Sequence, residues 1–166
     1  KYKLLVIEDN NEMRENIAEI LELSGYEVST AADGLQGVQA ARQHKPDLIL
    51  CDIMMPNLDG FGVLKILQQD SQLKSTPFVF LTAKAEKDDF RKGMNLGAED
   101  YLLKPFEDSD LLQVIETKLE KYRELSRNRS SKILSGLIDF NTLEKFPAVH
   151  ELLAQSESRE FGKKSK

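Results

Sequence analysis

The stretch LILCDIMMPNLDG, residues 48–60, decides the fold because an apolar run ends there on a charged side chain. The run 48–51 is continuous, as in a strand that is buried on both faces of a sheet. Asp52 follows it, and a turn that contains Pro56 and Gly60 comes next. Removing a carboxylate from water costs free energy unless the carboxylate finds partners. The stretch therefore predicts a core strand whose end carries a functional site.

Strand and helix patterns alternate on both sides of this stretch. Strands are predicted at 3–7, 26–30, 47–51, 77–83 and 100–104. One helix is predicted to end at Gly25 and one before Pro46; the others cover 61–69, 87–98 and 108–125, the last capped by Asp108 or Ser109. This alternation predicts an α/β fold in which five helices cover a five-stranded parallel sheet.

Polar and charged side chains stand at the ends of four predicted strands: Glu8, Asp9, Asp52, Thr82 and Lys104. Because ligands bind beyond the carboxyl ends of parallel strands, we expect these side chains to share one pocket. Three close carboxylates repel one another, and Mg²⁺ relieves that repulsion with the oxygen ligands it prefers. Thr82 and Lys104 would then seat a phosphoryl group, and the Asp52 carboxylate is a competent nucleophile toward phosphorus.

Four motifs in this order resemble the receiver domain of two-component response regulators. They are VIEDN (6–10), CDIMMPNLDG (51–60), FLTAKA (80–85) and LLKPF (102–106). The resemblance covers about residues 3–122 and implies a doubly wound, flavodoxin-like sheet of strand order 2-1-3-4-5. It divides the chain into a receiver domain, 1–122, and a helical extension or linker, 123–166.

The resemblance also assigns the metal site and the phosphoryl acceptor. It implies that Asp52 is the phospho-accepting residue. Glu8 and Asp9 match the acidic pair that holds Mg²⁺ in the family, with Asp9 as a direct ligand. The backbone carbonyl of Met54 matches a further ligand.

The remaining matches concern the switch. Thr82 matches the family's switch hydroxyl, and Lys104 matches its phosphate-contacting lysine. Tyr101 matches an aromatic switch position, and Pro105 a position where the preceding peptide bond is typically cis. Taken singly, Asp52 also fits a turn cap, Lys104 a surface lysine and Tyr101 plain core packing.

A phosphorylation-controlled signalling switch is the function that this resemblance implies. A sensor histidine kinase or a phosphotransfer protein would supply the phosphoryl group. The surface of helix 87–98, strand 100–104 and helix 108–125 would then change and control homodimerisation or an output. The protein would not be an enzyme, beyond assisting its own phosphoryl transfer and dephosphorylation.

Three other functions fit the residues less well. A phosphohydrolase with an aspartyl-phosphate intermediate needs a second acid two residues after the nucleophile, where this chain has Met54. A dinucleotide site needs glycines after the first strand, but the turn reads EDNNEM. A degenerate receiver that works without phosphorylation is disfavoured because every pocket residue is present.

Charge is unevenly distributed along the chain. Residues 121–166 hold ten basic and six acidic residues, a net charge of +4, whereas residues 1–120 hold 13 basic and 22 acidic, a net charge of −9. The acidic body does not suit nonspecific DNA binding. A single cysteine, Cys51, and the lack of a long apolar run favour a cytoplasmic protein that is not in the membrane.

The tail leaves the output open. Leu119, Tyr122 and Leu125 suggest a dimerising extension of the last helix. Gly136 is expected to interrupt that helix, Asn141 to cap a shorter one and Pro147 to begin another. The segment 137–165 is similar to the junction between receivers and a Crp/Fnr-like effector domain, which implies transcription regulation through a DNA-binding part beyond residue 166. A stand-alone receiver that acts through protein–protein contacts is the alternative.

Overall fold

Five parallel strands form one sheet in the computed structural model, which describes residues 1–83, 91–92 and 95–143, with side chains up to residue 128. In chain order the strands are β1 (Lys3–Ile7), β2 (Glu27–Ala31), β3 (Leu48–Asp52), β4 (Phe78–Thr82) and β5 (Asp100–Leu103). Their order across the sheet is β2-β1-β3-β4-β5, and every pairing is parallel. The predicted fold class and strand order are therefore confirmed.

Four helices are bounded within the described residues: α1 (Asn11–Leu23), α2 (Gly34–His44), α3 (Gly60–Gln68) and α4 (Asp108–Leu143). The predicted helix 87–98 lies mostly outside the described residues; positions 91, 92 and 95 are helical. Leu96 and Gly97 form a turn, with Gly97 at φ +101°, so this helix does not reach Ala98 as predicted. Glycine accepts this left-handed conformation without the steric cost that other residues meet.

Side-chain caps begin the first three helices, each accepting a hydrogen bond from the backbone N–H three residues on. Asn10 caps α1, Asp33 caps α2 and Asp59 caps α3. The start of α4 differs from the prediction. Leu111 N–H donates to the Glu107 carbonyl and Glu107 N–H donates to the Asp110 carboxylate, so Glu107 occupies the cap position.

The core has two layers because successive strand residues point to opposite faces of the sheet. One layer lies under α2 and α3 and includes Leu5, Ile7, Ile49, Cys51, Phe78 and Phe80. The other lies under α1 and the first turns of α4 and includes Leu4, Val6, Leu48, Leu50, Val79 and Leu81. With both faces covered, β3 is buried along its whole length, Asp52 included.

The structure differs from the sequence expectations at Gly136, Asn141 and Leu119. The α4 backbone continues through Gly136 and Asn141, since one glycine costs a helix only about 1 kcal/mol. Leu119 is 3% exposed and belongs to the receiver core, so it is not part of a dimerising surface.

The chain divides into two compact units between residues 120 and 121. None of the described helices is long and apolar enough to cross a membrane. Pro147 lies outside the described residues.

Candidate functional site

Three carboxylates meet at the carboxyl end of the sheet. Strands β1 and β3 are neighbours with Ile7 opposite Cys51, so the next residues, Glu8 and Asp52, follow side by side. Glu8, Asp9 and Asp52 each offer an oxygen within 4.8 Å of the other two. Glu8 is 1% exposed and Asp52 7%, whereas Asp9 faces solvent. The sequence predicted this convergence from the strand ends.

Lys104 reaches this acidic cluster from the far side of the sheet. Its Nζ lies 2.8 Å from a Glu8 oxygen and 3.5 Å from an Asp52 oxygen. Its backbone N–H donates to the Thr82 carbonyl at 2.7 Å, which ties the end of β5 to that of β4. The peptide bond from Lys104 to Pro105 is cis. The lysine side chain is 15% exposed. Its charge is therefore partly removed from water, like the carboxylate charges of Glu8 and Asp52 that it balances.

The carboxyl group of Asp52 is held partly protonated near neutral pH. Burial raises its pKa most, the negative charge of Glu8 raises it too, Lys104 lowers it, and the net pKa is about 7. One lysine cannot balance two buried carboxylates and a third at the surface. A bound cation would favour ionised Asp52, because it replaces the water that burial removes.

The donor set fits a hard divalent cation. Carboxylate oxygens are the ligands that Mg²⁺ takes from proteins, and an exposed Asp9 leaves room for the waters it keeps. Met54 lies two residues beyond Asp52 in the loop that follows β3. Its side chain is 78% exposed, so packing does not explain its place there.

The two predicted switch residues lie on neighbouring strands. Thr82 ends β4, is 5% exposed and is paired in register with Leu103. Tyr101 is half-buried on the edge strand β5, and its ring centroid lies 5.5 Å from that of Phe80 on β4. Thr82 thus lies at the carboxyl end of the sheet, where the acidic cluster is, whereas Tyr101 packs on the α3 side of the sheet.

Sequence reasoning missed the residues that hold Glu8 in place. Arg14 on α1 donates to the Glu8 carbonyl at 2.8 Å, and the Asn10 N–H donates to the second Glu8 oxygen at 3.1 Å. Glu8 N–H donates to the Ala31 carbonyl at 3.1 Å. The capping pattern at Asn10 was a usable signal, but nothing in the sequence pointed from Arg14 to a backbone carbonyl.

Cys51 precedes the acceptor position and is fully buried. Burial raises the pKa of its thiol, and the negative charge of Asp52 adds to the effect. Its Sγ lies 3.2 Å from the Asp52 carbonyl. A thiol so far from ionisation is a poor nucleophile, which agrees with its predicted role as a small buried hydrophobe.

Comparison with known proteins assigns the family. The model of the response regulator receiver domain matches residues 4–116, well over half of the chain. The chain therefore belongs to the response regulator receiver domain family. The resemblance predicted from the four motifs is confirmed.

Named relatives of the chain are transcriptional regulators. It is 36% identical over 143 residues to the probable transcriptional regulator ycf27 of Guillardia theta, covering 86% of this chain and 55% of that protein. It is also 36% identical over 119 residues to the DNA-binding dual master transcriptional regulator RpaA of Synechocystis, covering 72% of this chain and 49% of that one. The chain thus spans about half the length of these relatives.

Solved receiver structures share the fold. The chemotaxis response regulator CheY4 of Vibrio cholerae superposes with a TM-score of 0.67 at 34% identity, covering 70% of this chain and 97% of that chain. The receiver domain of the sensor histidine kinase PA1611 of Pseudomonas aeruginosa, with magnesium coordinated in its active site cleft, superposes with a TM-score of 0.67 at 31% identity, covering 72% and 98%. The acidic cluster of this chain is compatible with the same ion.

Proposed function

We propose that this receiver is a phosphorylation-controlled switch and that Asp52 accepts the phosphoryl group. One observation carries the proposal: a nearly buried carboxylate ends the central strand between two further carboxylates and a lysine. Burying such a charge costs stability, and groups of this kind are concentrated at functional sites. Transfer would come from the phosphohistidine of a sensor kinase or a phosphotransfer protein.

Glu8, Asp9, Asp52 and the Met54 carbonyl are the groups proposed to hold Mg²⁺. When bound, the ion supplies positive charge beside the transferred phosphoryl group. The donor chemistry of the cluster supports this set for three of its members. Met54 is included through the family resemblance and its position in the loop.

The chain's own side chains can carry out the transfer. An Asp52 oxygen attacks phosphorus as the bond to the donor's imidazole nitrogen breaks, so the electron pair leaves with the histidine and an aspartyl phosphate forms. Lys104, already 3.5 Å from Asp52, can turn from Glu8 to a phosphoryl oxygen. Thr82 can donate its hydroxyl to another oxygen. No separate substrate is turned over, and the same groups assist the later hydrolysis.

The switch is proposed to act through Thr82 and Tyr101. Movement of Thr82 toward the phosphoryl group would open space that the half-buried Tyr101 ring can enter. The surface of segment 87–98, β5 and α4 would change with it, as a population shift driven by local charge. That surface is proposed to control homodimerisation or the docking of a partner.

The output is proposed to be transcription through a DNA-binding part of a longer protein. Support comes from the relatives, which carry that function in their names and are about twice as long as the matched region. A receiver over 1–122 with a linker over 123–166 is the matching domain division. A junction to a Crp/Fnr-like domain remains a prediction from residues 137–165, and a stand-alone receiver is the alternative.

Beryllofluoride tests the switch without a kinase, because it mimics an aspartyl phosphate. With Mg²⁺ present, it should shift the backbone amide resonances of Thr82, Tyr101 and Lys104 in a ¹⁵N-labelled sample. Asp52→Asn should abolish these shifts. Asp47→Asn, which changes a carboxylate at the opposite end of β3, should leave them intact. Equal responses from both variants would contradict the assignment of Asp52.

A further inference from the structure

A groove separate from the acidic cluster lies between α3 and residues 91, 92, 95 and 96. Its volume is about 560 Å³, within the range of sites that hold a ligand or the anchoring side chains of a peptide. Its described lining includes Phe61, Lys65, Arg91, Lys92 and Leu96. None of these residues belongs to the acidic cluster, but Arg91, Lys92 and Leu96 lie in segment 87–98, whose surface is proposed to change with the switch.

The groove carries positive charge in an acidic body. Its described lining has three cations, Lys65, Arg91 and Lys92, against one carboxylate, Asp59. Asp59 is already engaged as the α3 cap, accepting the Gly62 N–H at 2.8 Å. Among the described residues, neither Lys65 nor Arg91 takes part in an ion pair. Residues 1–120 have a net charge of −9, so this positively charged patch lies on an otherwise acidic body.

An apolar floor accompanies the cations. Phe61 packs edge-on against Phe80 beneath the groove, and the Lys92 ammonium lies 4.5 Å from the Phe61 ring centroid. This cation–π contact holds the Lys92 side chain above the Phe61 ring. Phe61 is only 8% exposed, so little aromatic face remains on which a nucleotide base could stack. Leu96 adds a half-buried apolar side chain.

We propose that this groove docks an acidic peptide segment of a partner protein. Carboxylates of the segment would pair with Lys65 and Arg91, and one apolar side chain would enter between Phe61 and Leu96. Charge complementarity favours this occupant, since the cations are exposed and unmatched by the described groove lining. The site differs from the acidic cluster in both residues and charge, so a partner can bind the protein in which Asp52 is unmodified.

Titration with a defined peptide pool tests the proposal on the full chain. The pool contains ten-residue peptides with four Asp or Glu and one Leu, Ile, Met or Phe; a matched pool replaces the apolar residue with Ser. Binding is measured by fluorescence anisotropy and by amide shifts in ¹⁵N-labelled protein. The test variant is the double change Lys65→Glu and Arg91→Glu. The control is Lys74→Glu with Lys1→Glu, which has the same charge change at exposed positions elsewhere.

The expected result is binding of the acidic-apolar pool to the parent, with shifts in α3 and at residues 91, 92, 95 and 96. The test variant should lose about tenfold or more in affinity, because two exposed ion pairs with the peptide are reversed. The control should lose less than about twofold. Asp52→Asn should bind like the parent, which separates this inference from the proposed function. The inference is overturned if no peptide binds, if both double variants weaken alike, if the serine pool binds equally well, or if ATP or inorganic phosphate binds as tightly.

Discussion

Burial of Asp52 lowers the stability of the fold but places a carboxylate at the candidate site. Its carboxyl group sits at the end of a strand that is buried on both faces, and among the residues that the structure describes Lys104 alone opposes the neighbouring negative charges. An apolar or amide side chain there would be less costly to bury. The residue is best explained by chemistry that needs a rigidly held carboxylate.

The first prediction follows from the pKa of Asp52. That pKa is raised to about 7 in the fold, above its value in the unfolded chain. The folded state therefore holds its proton longer, and stability is lost as pH rises through about 7. In EDTA, we expect Asp52→Asn to raise the free energy of unfolding by about 1–3 kcal/mol at pH 8 and by much less at pH 5.

Urea unfolding at the two pH values measures this effect. Glu19→Gln, a change to an exposed carboxylate on α1, serves as the control and should differ little between them. A variant that is less stable than the parent at pH 8, or equally stabilised at both values, would contradict the electrostatic account. Added Mg²⁺ should stabilise the parent more than Asp52→Asn, because one of the proposed ligands is gone.

At the scale of elements, the loop from β3 to α3 is fixed by a close backbone approach. Gly60 N–H donates to the Ile53 carbonyl at 2.8 Å. A Cβ at Gly60 would lie 2.5 Å from the Asp52 carbonyl oxygen and 2.9 Å from the Ile53 Cα. Both neighbours are backbone, so a side chain there would push the strand end that carries Asp52.

The second prediction uses this contact. Gly60→Ala should lower the free energy of unfolding by about 2–4 kcal/mol and weaken the response to beryllofluoride, because the loop must shift. Gly62→Ala, two residues on, is the matched control. Its Cβ would meet the end of the flexible Leu58 side chain, and alanine favours the helix by about 1 kcal/mol, so little net loss is expected. Similar losses in both variants would show that the backbone contact is unimportant.

Most elements could be predicted from the sequence because their patterns are strong. Continuous apolar runs located the strands, and strand ends located Glu8, Asp52, Thr82 and Lys104. Boundaries were less certain: β2 and β3 each begin one residue later than predicted, and β3 includes Asp52 itself. Hydrogen bonding across the sheet sets these limits, and a single chain's hydropathy does not encode it.

Other features depend on contacts between distant segments. The Lys104 ammonium lies 2.8 Å from a Glu8 oxygen, 96 positions away in the chain, a contact that no local pattern in the sequence predicts. The basic groove combines Lys65 of α3 with Arg91 and Lys92, and these positions do not form one basic run in the sequence. Gly136 was expected to interrupt α4, yet a residue's helix propensity is a weak signal that its context can override.

At the scale of the whole molecule, the extension is the part whose role is least determined by the receiver. Tyr122 is 40% exposed and Leu125 54%, within a compact unit that begins at Lys121. Large apolar side chains spaced three apart on a helix are typical of a surface that a partner covers. A second copy of the chain is the proposed partner.

Light scattering tests that dimer. With Mg²⁺ and beryllofluoride, the measured mass of the parent should move toward twice that of the monomer, because phosphorylation is proposed to favour association. Asp52→Asn should not respond, and Leu125→Glu should remain monomeric by placing a charge in the interface. A parent that stays monomeric, or that is equally dimeric without beryllofluoride, would contradict phosphorylation-linked association.

The central claim is that Asp52 receives a phosphoryl group, and intact-mass spectrometry with a small phosphodonor tests it most directly. Incubated with acetyl phosphate and Mg²⁺, the parent should gain the mass of one phosphoryl group, held as an acyl phosphate that hydroxylamine removes. Asp47→Asn should behave like the parent, and EDTA should prevent the gain. Asp52→Asn should gain nothing. Unchanged phosphorylation of Asp52→Asn, or none of the parent, would contradict the account.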